Sequence, residues 1–109
     1  MTEQDRRSNA RVPFIAYAEI IEEGSSVRVA VRVSDLGNDG CYVDMRAPLP
    51  KGASVAITIV VTRDAFEAEA TVAYVDPRLG MGLVFHNVSP RARRVLQKWL
   101  WEGEHEQQT

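Results

Sequence analysis

The chain has 109 residues, 45% hydrophobic and 26% charged, enough for one globular domain built around one core. Its net charge of -2 argues against a general nucleic-acid or membrane binder, and its one cysteine, Cys41, excludes an internal disulfide and a C-x-x-C metal site. The charged N-terminus lacks the apolar segment of a signal peptide, and no apolar run is long enough to span a bilayer, so a reducing cytoplasmic setting is expected.

Residues 1–11 are polar, with no core-facing pattern, and read as an arm. From Val12 the chain turns apolar. Val12, Phe14, Ala16, Ala18 and Ile20 alternate with Pro13, Ile15, Tyr17 and Glu19, a strand with proline near its start, where a missing N–H is tolerated. After a turn at residues 22–26, Val27, Val29, Val31 and Val33 form one face of a second strand, with Arg28, Ala30 and Arg32 on the other. Residues 34–40, Ser-Asp-Leu-Gly-Asn-Asp-Gly, are expected to break that strand into a tight loop, its glycines at positive φ. Residues 41–45 resume as a short strand. Val55, Ile57, Ile59 and Val61 predict the next one. Phe66, Ala68, Ala70, Val72 and Tyr74 predict an inward face for the one after, with Glu67, Glu69, Thr71 and Ala73 outward. Met81, Leu83 and Phe85 supply a last strand.

Ser89 and Pro90 then open a helix as N-cap and first helical residue. Ala92, Val95, Leu96, Trp99 and Leu100 make its apolar stripe, and Arg91, Arg93, Arg94 and Lys98 fall on the other side. Trp101 lies off the stripe and is a candidate partner surface, and residues 102–109 form an acidic tail expected to fray. About six short strands joined by short turns suggest an antiparallel barrel or sandwich, with the helix over an open end or seam.

Two stretches stand out chemically. Arg6, Arg7 and Arg11 fall within six residues of the arm. A guanidinium donates two parallel hydrogen bonds to a phosphate or to the O6/N7 edge of guanine, and its plane stacks on a base. The second stretch is residues 35–40. Asp35, acceptor-only when ionised, can take the N1–H and N2–H donors of a guanine or orient an arginine, and Gly40 permits close backbone approach. Taken singly, the arginines read as solvated charge and the loop as an ordinary turn. Cys41 has no neighbouring base in sequence and reads as a buried structural thiol. His86 reads as an exposed or hydrogen-bonded strand residue, and two isolated histidines make no metal site. Asp35, Asp39 and Asp44 match no calcium-loop spacing, and no nucleotide-hydrolase or nucleophile-elbow motif is present.

Taken together, these residues resemble the PilZ domain, a bacterial receptor module for cyclic di-GMP. Its R-R-x-x-x-R motif stands complete as Arg6-Arg7-Ser8-Asn9-Ala10-Arg11, and its [D/N]-x-S-x-x-G motif matches Asp35-Leu36-Gly37-Asn38-Asp39-Gly40. Gly80-Met81-Gly82-Leu83-Val84-Phe85 and the helix after it resemble the family's last strand and closing helix, so the similarity runs from about residue 5 to about residue 101. The resemblance implies an all-β fold with one C-terminal helix: an arm at 1–11, a six-stranded antiparallel β-barrel with its helix at 12–101, and the tail at 102–109. It also implies a non-enzymatic receptor without cofactor or metal. Arg7 and Arg11 would hold phosphate and guanine edges, Arg6 would stack or contact phosphate, Asp35 would read guanine, and Gly40 would serve the loop's geometry. Gly37 replaces the family's phosphate-contacting serine, a lost hydrogen bond of about 1.5–3 kcal/mol, or about one to two decades in dissociation constant. Backbone N–H groups of the loop would partly replace it. The arm would order on ligand binding and signal to a partner protein or a second copy, with no DNA bound and no membrane insertion. The alternative is a PilZ-fold adaptor that binds no nucleotide and acts by protein contacts alone. An OB-like nucleic-acid binder ranks lower, because Tyr17, Tyr42 and Tyr74 are scattered in sequence.

Overall fold

Apolar side chains alternating along six strands leave each strand one face to bury, and a closed barrel covers all six faces while leaving no free edge. The computed structural model describes residues 11–106. Its elements are β1 (Arg11–Glu22), β2 (Val29–Gly37), β3 (Gly40–Asp44), β4 (Ser54–Val61), β5 (Asp64–Asp76), β6 (Gly80–His86) and helix α1 (Pro90–Glu106). The strands close in the order β1-β2-β3-β6-β5-β4, and every neighbouring pair is antiparallel. The chain thus forms the expected six-stranded barrel with one C-terminal helix.

The interior is filled by the inward residues of every strand, among them Ile20, Val33, Leu36, Val43, Ile57, Ile59, Phe66, Val72, Met81 and Leu83, all fully buried. Helix α1 packs against β5 and β1. Ser89 Oγ caps it by accepting the Ala92 N–H at 3.1 Å, which satisfies one of the first-turn donors that have no intrahelical partner. Ala92, Leu96 and Trp99 are buried beneath it, and the Trp99 ring meets Phe14 of β1 at 5.4 Å. No described helix is long and apolar enough to cross a membrane.

Five expectations change, the last of them the place of Arg11. Residues 34–40 are not a loop: β2 runs on to Gly37, β3 starts at Gly40, and only Asn38 and Asp39 lie between. The polar residues here are accommodated without ending the ladder, because an irregularity between Val33 and Asp35 absorbs Ser34 and leaves Leu36 buried. Gly37 and Gly40 are not left-handed either; among the described glycines that conformation belongs to Gly24 and Gly52, both in turns. The second change is at the start of β2, which begins at Val29 rather than Val27; both valines are exposed, and only Val31 and Val33 reach the core. The third is in β5, where the pairing shifts between Val72 and Tyr74. The extra residue reverses the alternation, so Tyr74 points outward and Val75 packs on the core.

The fourth change is at the C-terminus. Helix α1 continues through Glu106, where fraying is expected from sequence. Its last turns are held by Trp101, stacked on His105 at 3.7 Å one turn later, and by Gly103, packed close to Val12. Arg11, placed with the arm in the sequence, is the first residue of β1.

Gly40 is where the barrel tolerates least change. A Cβ there would collide with the Leu83 carbonyl oxygen of β6, which is backbone and cannot swing aside. Gly40→Ala is expected to cost about 1–3 kcal/mol as overpacking. Thermal unfolding would show this as a fall of about 4–8 °C per kcal/mol.

Candidate functional site

Antiparallel register determines which outward side chains meet. At one end of the barrel Arg11 of β1 lies opposite Gly37 of β2. Arg11 Nη1 donates to Asp35 Oδ1 at 3.1 Å, and both side chains are about one-third exposed. The Arg11 guanidinium also sits close to Gly40, with Nη2 3.2 Å from where a Cβ would stand. Of the six site residues expected from sequence, Arg11, Asp35, Gly37 and Gly40 therefore come together around one hairpin. Arg6 and Arg7 lie outside the described residues.

The hairpin tip is fixed from two directions. Asp39 O accepts the Phe85 N–H of β6 at 2.8 Å. From the other side, Arg93 of α1 donates to Asn38 O at 2.7 Å. The helix's basic side is therefore not all solvated charge: Arg93 is half-buried against the hairpin, and Lys98 pairs with Asp64 at 3.0 Å.

From this hairpin the outer wall of β2, β3, β6 and β5 continues as two rows. Asp35, Tyr42, Gly82 and Tyr74 are successive cross-strand neighbours, and so are Arg32, Asp44, Gly80 and Asp76. The two glycines supply the missing bulk for two rings. The Tyr74 ring lies directly over Gly82, and the Tyr42 ring lies against Gly80. The rings face one another at 6.2 Å, and the Tyr42 hydroxyl donates to Asp76 Oδ2 at 2.8 Å. Desolvation of the ring, reinforced by that hydrogen bond, pushes the Tyr42 phenol up to about 12. Arg32 pairs with Asp44 at 2.6 Å and completes the wall.

Sequence reasoning missed this wall. Tyr42 and Tyr74 lie 32 positions apart in the chain, and they meet because β3 and β5 both flank β6. The available signal was Gly80-x-Gly82 within a strand, two gaps on one face that invite rings from their neighbours. Tyr17 lies apart from the pair, opposite Val60 on the β1–β4 face.

The wall offers a guanidinium, a carboxylate and an exposed aromatic ring. Those groups suit a planar ligand carrying negative charge and donor edges. Cys41, the inward neighbour of this site, is fully buried, and burial pushes its thiol up to about 12, with the Arg11 charge only partly opposing. His86 is exposed and hydrogen-bonded to Thr71 Oγ1 at 2.8 Å. Among the described residues no group of three His, Cys, Asp or Glu side chains is placed to hold a metal ion. A groove of about 450 Å³ between Glu22–Ser25, Ser54–Ala56 and Glu69–Thr71 includes none of the site residues expected from sequence.

The PilZ domain family model matches residues 5–101, and the chain belongs to that family. Three solved structures share the fold at low identity. The PilZ domain of YcgR from Escherichia coli, solved with c-di-GMP, is 20% identical, with 93% of each chain covered and a TM-score of 0.75. The PilZ domain of CeSA from a cellulose-synthesizing bacterium is 19% identical, covering 88% of this chain and 99% of that one, with a TM-score of 0.69. The Bacillus subtilis inhibitor of motility is 16% identical, covering 95% of this chain and 54% of that one, with a TM-score of 0.78. No curated protein matches significantly.

The state of Cys41 is directly measurable, since the chain has one thiol. Folded protein at pH 8 is expected to resist alkylation by iodoacetamide, and guanidinium-unfolded protein to react fully. The thiol ionises near 9 when unfolded and only near 12 when folded. The native state therefore holds the extra proton, and this group makes stability fall as pH rises from about 9 to about 12. Cys41→Ala should flatten that part of a pH–denaturation profile.

Proposed function

We propose that the chain is a non-enzymatic receptor for cyclic di-GMP that binds at the Arg11–Asp35 hairpin and signals by ordering its arm. One observation carries the reading. Arg11 and Asp35 come from the two motifs that the sequence separates by 24 positions, and they share an ion pair beside Gly40.

Each group has a chemical task. The Arg11 fork grips a phosphate or the O6/N7 edge of guanine, and Asp35 accepts from the guanine N1–H and N2–H. Arg6 and Arg7, on the same arm, would supply the remaining charge for a dianionic ligand. Gly40 makes room for the Leu83 carbonyl and the Arg11 guanidinium beside the hairpin, and the exposed Tyr74 ring offers a face for a base to stack on. The Arg11–Asp35 pair is partly exposed and contributes no more than about 1 kcal/mol to the free protein. It can therefore be rearranged around a ligand without unfolding β1. Ligand phosphates neutralise the arginines, the arm folds against the wall, and the new surface of arm, ligand and hairpin is offered to a partner protein or a second copy.

Gly37 supports a second reading, a PilZ-fold adaptor without nucleotide. It stands where the family's motif has the phosphate-contacting serine, so one ligand contact is absent from the side chains.

Isothermal titration calorimetry with cyclic di-GMP separates the two. Saturable binding is expected for the wild type, with loss in Arg7→Ala and in Arg11→Ala while circular dichroism stays unchanged. No binding by folded wild type at high nucleotide would sink the receptor reading and leave the adaptor. Within the receptor reading, Gly37→Ser restores a hydrogen bond to a charged group. It should tighten binding by about one to two decades; a weaker complex would mean that this loop holds phosphate in another way.

A further inference from the structure

The tip of the ligand hairpin is held by the helix. Asn38 is the first of the two residues that turn β2 into β3, flanked by Gly37 and one residue from Gly40. Three hydrogen bonds from α1 converge on it. Arg93 Nη1 donates to the Asn38 carbonyl oxygen at 2.7 Å and to its Oδ1 at 3.2 Å. Gln97 Nε2 donates to the same Oδ1 at 2.7 Å. Arg93 and Gln97 are four residues apart and share a helix face, so one rigid element grips both the backbone and the side chain of one residue. The helix is anchored in turn by Leu96 and Trp99, both buried in the core. The next hairpin residue, Asp39, is tied to β6 through Phe85 N–H.

A two-residue turn between glycines has little stiffness of its own. Its neighbours determine where the Gly37–Gly40 backbone points. The motif residues contact the ligand in the receptor reading, whereas Asn38 sits at a position the motif leaves free and does its work by facing the helix.

We propose that Arg93 and Gln97 are positioning residues for nucleotide binding: through Asn38 they hold the hairpin in its binding geometry and couple α1 to the occupancy of the site. The proposal rests on the receptor reading for its ligand, while the mechanical link between helix and hairpin stands without it. By linkage, a helix that sets the affinity of the hairpin is itself stabilised when ligand is bound, and a partner that pulls on α1 changes ligand affinity by the same factor.

A double-mutant cycle tests the link. Dissociation constants for cyclic di-GMP are measured by calorimetry on the full chain for wild type, Arg93→Ala, Asn38→Ala and the double variant. Hydrogen exchange of the hairpin and α1 amides is followed on the same proteins with and without nucleotide. Arg93→Ala is expected to weaken binding about tenfold. The double variant should fall short of the sum of the two single effects, because both changes loosen the same hairpin tip and share the Arg93–Asn38 Oδ1 bond. If Arg93 acted only through its charge on the ligand, the two effects would add, and that result overturns the proposal. So does an unchanged affinity in Arg93→Ala. Should Arg93→Ala fail to fold, Gln97→Ala replaces it. Gln97 is exposed, and its loss should still weaken binding several-fold; unaltered binding there counts equally against the link.

Exchange keeps the two readings apart. If the wild type binds no nucleotide, the receptor reading fails. The helix–hairpin link is then judged on free protein, where Arg93→Ala should speed exchange at residues 38–40 and leave β4 unchanged. Equal exchange in both proteins would overturn it.

Discussion

The site depends on the register between the first residues of β1 and the last residues of β2. Arg11 pairs with Gly37, Val12 with Leu36 and Pro13 with Asp35. Inward-facing Leu36 and Val12 leave that pairing little freedom, because a slip by one position would turn a buried residue outward and Asp35 inward. The core thus decides where an exposed guanidinium meets an exposed carboxylate. The pair is weak in energy but well defined in place.

The same economy runs along the wall. Gly80 and Gly82 lack side chains in the middle of a barrel strand, which by itself weakens the strand. Tyr42 and Tyr74 cover them from either side. The bulge before Tyr74 makes this possible, since without it that ring would point into a core already filled by Phe66 and Phe85. One extra residue in β5 therefore feeds both surfaces: Val75 to the inside and Tyr74 to the outside.

Much of the fold was legible in the sequence because period-two alternation and helix caps are local signals. β1, β4 and β6 and the apolar stripe of α1 lie where the pattern puts them. Residues 34–40 misled for a physical reason. Glycine, asparagine and aspartate favour turns on average, yet a strand needs only its backbone bonds and a place for each side chain, and the irregularity at Ser34 provides both. The outward turn of Tyr74 was illegible in the same way, since nothing local marks a bulge. Of the site, the motif residues were legible as short patterns, and Arg11 and Asp35 could be paired only by assuming a barrel. The Tyr42–Tyr74 pair and the grip of Arg93 on Asn38 depend on contacts across 32 and 55 positions, which no window of sequence contains.

Cys41 lies directly beneath this wall, on the core side of β3 next to Gly40. A thiol that is fully buried and stays protonated far above neutrality offers neither the thiolate nor the access that peroxide, glutathione or a neighbouring disulfide requires. The chain has no other cysteine to react in its place. The hairpin above it is therefore insulated from thiol oxidation, and its geometry stays unchanged while the redox state around it swings.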